Sequence, residues 1–181
     1  MDRISLLPDD LLLKILSYAV TKDVMNTSLL SKRWTSLWKH VPKLDYFDLH
    51  TNRNLSFINK FLQFHEAPVI ETLHLRLDRC VHKVEIEKWI RVASSRGVRD
   101  LTFFKMRPSS CPVPLPRSLY TCQSLVNLRL ENVKIADIPS NISFPSLKNL
   151  SLTCVHFSSD KVLSIMLFSF PVLEELRMCR S

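Results

Sequence analysis

One spacing constrains this chain more than any other: the string L-x-x-L-x-L, with conservative replacements, recurs along it. It reads Ile70/Leu73/Leu75, Val98/Leu101/Phe103, Leu125/Leu128/Leu130, Leu147/Leu150/Leu152 and Leu173/Leu176/Met178, with starts 28, 27, 22 and 26 residues apart. An apolar residue at every second position marks a strand buried on one face. Repetition at this period requires a return segment after each strand, so that successive units stack into a curved solenoid. The leucines then face the core, and the residues between them face the concave side. That outward set is Thr72/His74/Arg76, Asp100/Thr102/Phe104, Asn127/Arg129/Glu131, Asn149/Ser151/Thr153 and Glu175/Arg177/Cys179.

The spacing is within or near that of leucine-rich repeats, and the segments between strands suit a turn back. Residues Glu85 to Ser95 carry Ile86, Trp89, Ile90 and Ala93 at helical spacing, and Gly97 follows as a left-handed stop. Asp160 to Phe168 repeats the idea, with Asp160 expected to cap and Pro171 to close the segment. The Pro-rich stretch Pro108 to Pro116 reads as an extended loop. The chain stops at Ser181, directly after a repeat strand. A solenoid needs a terminal cap over its last apolar layer, so an uncapped end, and with it a truncated product, a splice form or a fragment, is the expectation.

Ahead of the repeats lie short helical patterns. Pro8 suits the first helical position, where its missing N–H costs nothing. Asp9 and Asp10 place negative charge at the positive end of the helix dipole. Leu7, Leu11, Leu12, Ile15 and Leu16 form an apolar stripe. A second helix is expected from Thr21, capped by its hydroxyl, with Val24, Met25, Leu29 and Leu30 as its apolar residues. Ser31 is expected to cap a third helix, Lys32 to Trp38, that brings Trp34, Leu37 and Trp38 together, and Pro42 ends the run. Helices this short cannot bury so much Leu, Met and Trp among themselves. Pattern alone leaves two readings open: they pack on the rest of the chain, or part of their apolar surface is a protein-binding face.

The string LLPDDLLLKILSYAVTKDVMNTSLLSKRWTSLWKHVPKLDY resembles the F-box of the plant F-box/leucine-rich-repeat (F-box/FBD/LRR-repeat) family. The pieces that carry it are Leu7 to Leu12, Thr21-Lys22-Asp23-Val24, and Leu30-Ser31-Lys32-Arg33-Trp34 with Leu37-Trp38. APVIETLHLRL, WIRVASSRGVRDLTF, LPRSLYTCQSLVNLRLENVKIADIPSNISFPSLKNLSL and FPVLEELRM are similar to the repeat region of the same family. The resemblance implies an α+β chain: a three-helix F-box over 1–45, then a short, C-terminally uncapped leucine-rich-repeat α/β solenoid over 46–181. Strand units begin near 70, 98, 125, 147 and 173, and the C-terminal FBD domain of many members is lacking. It also implies a Skp-type adaptor as partner and, through it, the cullin and RING subunits of an SCF ubiquitin ligase. Carried onto matching positions, Leu7, Pro8, Leu11, Leu12 and Ile15 form one contact strip. Val24, Leu29, Leu30, Trp34, Leu37 and Trp38 supply a second strip and the small core, with contact and core not separable. Where the family has Leu-Pro before Thr-Lys-Asp, this chain has Ala19-Val20, so the first two helices are expected to be joined less sharply.

The column His74, Thr102, Arg129, Ser151, Arg177, with Phe104 beside it, is the expected target-binding surface. Arg129 and Arg177 suit an acidic or phosphorylated segment; a plain solvated sheet face is the alternative. Two further readings are a decoy that binds the scaffold but holds no target, and a basic nucleic-acid-binding protein.

Composition narrows the field. At 181 residues, with 46% apolar and 23% charged residues, the chain matches a folded protein. It has no run of about 18 apolar residues and no signal-peptide core, so an intracellular chain is expected, and the resemblance narrows that expectation to nucleus or cytoplasm. The net charge of +8 is spread along the chain, and acids interrupt its densest basic stretch, Arg76 to Arg107. A solvated face accounts for that better than a nucleic-acid site. Cys80, Cys111, Cys122, Cys154 and Cys179 show neither CxxC spacing nor a zinc pattern, and read as small core residues. A single glycine argues against phosphate-cradling loops, dinucleotide fingerprints and nucleophile elbows. The histidines His40, His50, His65, His74, His82 and His156 have no metal or triad spacing. No enzyme activity and no cofactor are expected.

Overall fold

A computed structural model describes residues 4–47, 55–78, 81–105, 115–135, 138–139 and 141–179. In chain order its strands are β1 (Lys43–Phe47), β2 (Thr72–Leu77), β3 (Asp100–Lys105), β4 (Asn127–Glu131), β5 (Lys134–Ile135), β6 (Asn149–Thr153), β7 (His156–Phe157) and β8 (Glu175–Cys179). The longer ones form a six-stranded sheet in the order β1-β2-β3-β4-β6-β8, and β5 pairs with β7. Every pairing in the large sheet is parallel, so each neighbour is reached by a return segment.

The register follows the sequence motif without a slip. Leu44, Leu73, Leu101, Leu128, Leu150 and Leu176 form one rung; Tyr46, Leu75, Phe103, Leu130, Leu152 and Met178 form another. From β1 to β6 these side chains are buried, whereas Leu176 and Met178 on β8 are 41% and 42% exposed. On the fifth motif the apolar side chains lie open, as expected of an uncovered last strand. That motif has the strand but, among the described residues, no further layer to cover it.

The sheet has one strand more than the sequence reading counted. Val41/Leu44/Tyr46 is the same motif, 29 residues before Ile70, and all three side chains are buried. It lies within the string that resembles the F-box, just past the expected helices. β1 runs across the expected boundary at residue 45.

The helices are α1 (Asp9–Ser17), α2 (Thr21–Asn26), α3 (Trp34–Leu37), α4 (Ser56–Phe64), α5 (Lys83–Ser95) and α6 (Asp160–Leu167). α5 buries Ile86, Trp89, Ile90 and Ala93, the face its periodicity predicts. Gly97 has φ +75, the Gly97 amide bonds the Ser94 carbonyl at 3.3 Å and the Val98 amide the Ala93 carbonyl at 3.1 Å. That pair of bonds closes the helix end in the way only a left-handed residue allows. α4, which the sequence reading passed over, buries Ile58, Phe61 and Leu62.

Three capping expectations are corrected. Thr21 does not cap α2; its hydroxyl accepts the buried Asp45 amide at 2.7 Å, because β1 lies beside it. Ser31 does not cap α3, which is confined to Trp34–Leu37 and followed by a 3-10 turn, Trp38–His40. Asp160 is the first residue of α6 rather than its cap. The break between α1 and α2 also stays sharp without a proline. Val20 adopts extended backbone (ψ 148), and the Lys43 ammonium donates to the Ser17 and Ala19 carbonyls at 3.2 and 3.5 Å. The stretch 108–114, Cys80, Cys111 and His50 lie outside the described residues.

Candidate functional site

Two surfaces stand out, and the first is on the opening helices. Their apolar residues divide into two sets. Leu12, Leu16, Val24, Trp34, Leu37 and Trp38 are buried in the core. Leu11 (47%), Ile15 (49%), Leu29 (86%) and Leu30 (69%) are exposed, as is Pro8, while Leu7 is half-buried. Leu6 and Tyr18, which the sequence reading did not single out, are exposed too. The α1 stripe is thus split along its length: Leu12 and Leu16 point inward while their chain neighbours Leu11 and Ile15 point out. Arg33 holds the start of α1 against the loop before α3, donating from Nε to Asp9 Oδ1 at 3.0 Å and from Nη2 to the Leu7 carbonyl at 2.6 Å.

This segment is bolted to the sheet. Lys39 accepts the Glu66 and Ala67 amides at its carbonyl (2.9 and 3.1 Å), and its ammonium meets Glu66 at 2.7 Å. His65 is buried, with Nε2 2.9 Å from the Val41 carbonyl and Nδ1 3.0 Å from Arg96 Nη1. Because Arg96 can only donate, Nδ1 accepts and Nε2 carries the proton. Burial pushes the His65 pKa below its ordinary value. The Arg96 and His40 charges add to that, against the opposing pull of the Val41 carbonyl.

The second surface is the outward face of the sheet. A groove of about 350 Å³ is lined by residues that include His74, Thr102, Arg129, Ser151 and Arg177. Asp45, His74, Thr102, Arg129, Ser151 and Arg177 share one register row, so the expected column is assembled. Phe104 lines an adjoining cavity of about 340 Å³ with Arg76 and Glu131. Burial raises the Glu131 pKa, with Arg129 opposing.

A second row supports the first. His74 Nε2 meets Asp100 Oδ1 at 3.1 Å, the Asn127 amide donates to Asp100 Oδ2 at 3.3 Å, and the Asn149 amide donates to Asn127 Oδ1 at 2.7 Å. Burial alone would raise the Asp100 pKa, but His74, Asn127 and Arg129 outweigh it and hold the carboxyl below its usual range. At one end Asp45, itself buried, takes Arg76 at 3.0 Å and Lys43 at 3.4 Å. Sequence reasoning missed this ladder. Its signal was present, since Asp100, Asn127 and Asn149 each stand immediately before the second leucine of a repeat.

Of the cysteines within the described residues, Cys122 is buried, Cys154 half-buried and Cys179 exposed. The core reading therefore holds for the first alone. Cys154 sits with φ 50 just past β6, as Asn132 does (φ 53) past β4. Among the described residues no group of three His, Cys, Asp or Glu is placed to hold a metal, and no helix is long and apolar enough to cross a membrane.

A model of the F-box domain matches residues 4–50, and a model of the LRR repeats of FBD-associated F-box protein At5g56370 matches residues 86–181. Curated proteins of Arabidopsis thaliana are similar over nearly the whole chain. Putative FBD-associated F-box protein At5g56440 is 52% identical over 186 residues, covering 99% of this chain and 43% of its own length. FBD-associated F-box protein At5g56370 is 44% identical over 184 residues (99% and 44%). F-box/FBD/LRR-repeat protein At4g26340 is 47% identical over 182 residues (97% and 43%). The chain thus spans less than half the length of these relatives. No solved structure matches it. With one matched region over the helices that display the apolar strip and the other over most strands of the groove, the chain belongs to the family of FBD-associated F-box proteins.

Proposed function

We propose that the chain is a target-recognition adaptor of an SCF-type ubiquitin ligase, built as a three-helix F-box followed by a short leucine-rich-repeat solenoid. The observation that carries this reading is the divided set of apolar residues on the opening helices. Leu11, Ile15, Leu29 and Leu30 are exposed while the sheet behind them, from β1 to β6, buries its leucines almost completely. With Leu7 and Pro8 they form the contact strip for a Skp-type adaptor, through which the cullin and RING subunits are reached. Leu12, Val24, Trp34, Leu37 and Trp38 are its core, which holds the strip in place. Each exposed leucine-sized side chain that a partner covers fully contributes roughly 1.5–3 kcal/mol, enough for a few of them to dominate an interface.

The sheet groove, centred on His74, Thr102, Arg129, Ser151 and Arg177 with Phe104 beside it, is the target-binding surface. The chain supplies no chemistry of its own. It holds a target near ubiquitin carried by other subunits, so the gain is one of proximity. Nucleus or cytoplasm is where such an assembly works.

The test is co-expression with a Skp-type adaptor and affinity capture. Wild type is expected to co-purify stoichiometrically. Leu11→Asp/Ile15→Asp should lose at least tenfold of the captured adaptor while keeping its circular dichroism spectrum, and Leu7→Ala/Pro8→Ala should lose less. Equal capture by all three proteins would overturn the reading.

A further inference from the structure

Resting on the groove as the target-binding surface, we propose that its centre is a carboxylate-reading site. In it Thr102, Arg129 and Ser151 together seat the side-chain carboxylate of an acidic residue in an extended segment of the target. Arg129 lies on β4, in the interior of the sheet, and its register partners are Thr102 on β3 and Ser151 on β6. All three line the same groove. Neighbouring strands lie about 4.8 Å apart, so a guanidinium rooted between two hydroxyl-bearing residues has a donor on either side of it.

Among the described residues, the other cations of this face are committed. Arg76 bonds Asp45 at 3.0 Å, His74 bonds Asp100 at 3.1 Å, and Arg177 Nε bonds Glu175 at 2.7 Å. Arg129 is exposed and makes no hydrogen bond or ion pair with any described residue; the Thr102 and Ser151 hydroxyls are likewise unengaged among them. Asp100 and Glu131 lie within its electrostatic reach without bonding it. Three side chains able to donate therefore stand side by side along one groove. The planar guanidinium fork matches a carboxylate through two parallel N–H···O bonds, and the flanking hydroxyls can donate to its remaining lone pairs.

Charge separates a carboxylate from a phosphate. A phosphate monoester carries close to two negative charges, and here it would face Asp100, Glu131 and Glu175 with one uncommitted cation among the described residues. A single carboxylate is matched one to one by Arg129. The groove also continues past the three residues, to His74 at one side and Arg177 at the other. That length suits a peptide segment rather than a free small acid.

The experiment follows the backbone amide signals of β3, β4 and β6 in the full chain by NMR during titration with defined probes, a readout that every variant below retains. These are Ac-Ser-Val-Glu-Val-Ser-amide, its Gln and phosphoserine counterparts at the central position, and free glutarate. The Glu peptide should half-saturate the shift at a concentration at least fivefold below each of the others. Arg177→Gln should change that midpoint less than twofold, Thr102→Val/Ser151→Ala should raise it severalfold, and Arg129→Gln should remove saturable binding. A Gln or phosphoserine peptide binding as well as the Glu peptide overturns the proposal, as does saturable binding that survives Arg129→Gln. Glutarate binding as tightly as the peptide overturns the assignment to a protein segment. Adaptor capture is measured on the same Arg129→Gln sample and should equal wild type. Loss of capture by wild type itself would sink the ligase reading and leave the titration result standing.

Discussion

The opening helices and the sheet treat apolar side chains in opposite ways. From β2 to β6 the inward residues Leu73, Leu75, Leu101, Phe103, Leu128, Leu130, Leu150 and Leu152 are 2% exposed or less. In the helices, residues adjacent in sequence part company: Leu12 goes in and Leu11 stays out, and Leu16 goes in while Ile15 stays out. The same chain is therefore capable of near-complete burial where it builds a layered sheet. Leu11, Ile15, Leu29 and Leu30 stay exposed on α1 and the turn after α2 although their neighbours are buried, which is the arrangement the proposed adaptor-binding strip needs.

The sharpest test of that contrast is paired truncation. Leu150→Ala and Leu12→Ala should each cost roughly 3–4 kcal/mol of stability, the usual range for emptying a packed site, read as a lower urea midpoint at unchanged slope. Leu11→Ala and Leu29→Ala should stay within about 0.5 kcal/mol of wild type while weakening adaptor capture. A Leu11→Ala variant as unstable as Leu12→Ala would erase the distinction between the two sets. Leu176→Ala, in the same rung as Leu150 but exposed, should cost under about 1 kcal/mol. A loss as large as that at Leu150 would mean the last rung is covered after all.

A smaller effect is expected at the join between the two regions. The His65 pKa is lowered in the folded protein from its ordinary 6.5, so the unfolded chain takes up the proton first. Stability should be fully present above pH 6.5 and decline as the pH falls below it toward the folded value. Urea midpoints at pH 7.5 and 5.5 measure the decline, and His65→Gln should shrink it. An unchanged pH dependence in that variant would show that the imidazole is not what couples them. The smallest effect belongs to Glu66→Gln: it removes a solvent-exposed ion pair with Lys39, and its urea midpoint should match wild type within error.

Much of the sheet was legible because strand alternation is local. Each L-x-x-L-x-L string carries its own inward and outward assignment, and a one-residue slip would have exposed a whole set of leucines. The same holds for α5, where helical spacing and Gly97 agree. What escaped was tertiary. Val41/Leu44/Tyr46 has the repeat pattern, but it follows closely on the last expected helix and falls inside the string that resembles the F-box. Thr21 looks like a helix cap until β1 arrives beside it with an amide to satisfy. Leu11 and Leu12 have the same chemistry, and only the position of the sheet decides which of them is covered. The outward column was readable in full, whereas the inequality within it was not. Arg129 and Arg177 are alike in sequence, and it takes the placement of Glu175 to occupy one and leave the other bare.

The bolts at Lys39, Val41, Lys43 and Asp45 have a mechanical meaning. No slack tether separates the helices from the first strand; the chain passes from one into the other through shared hydrogen bonds. A subunit seated on α1 and a segment lying across β4 would then stand at a fixed bearing to each other, like the two ends of a set square. Which lysines of a captured protein come within range of ubiquitin would be decided by how that protein lies in the groove, and not by the swing of a hinge beneath it.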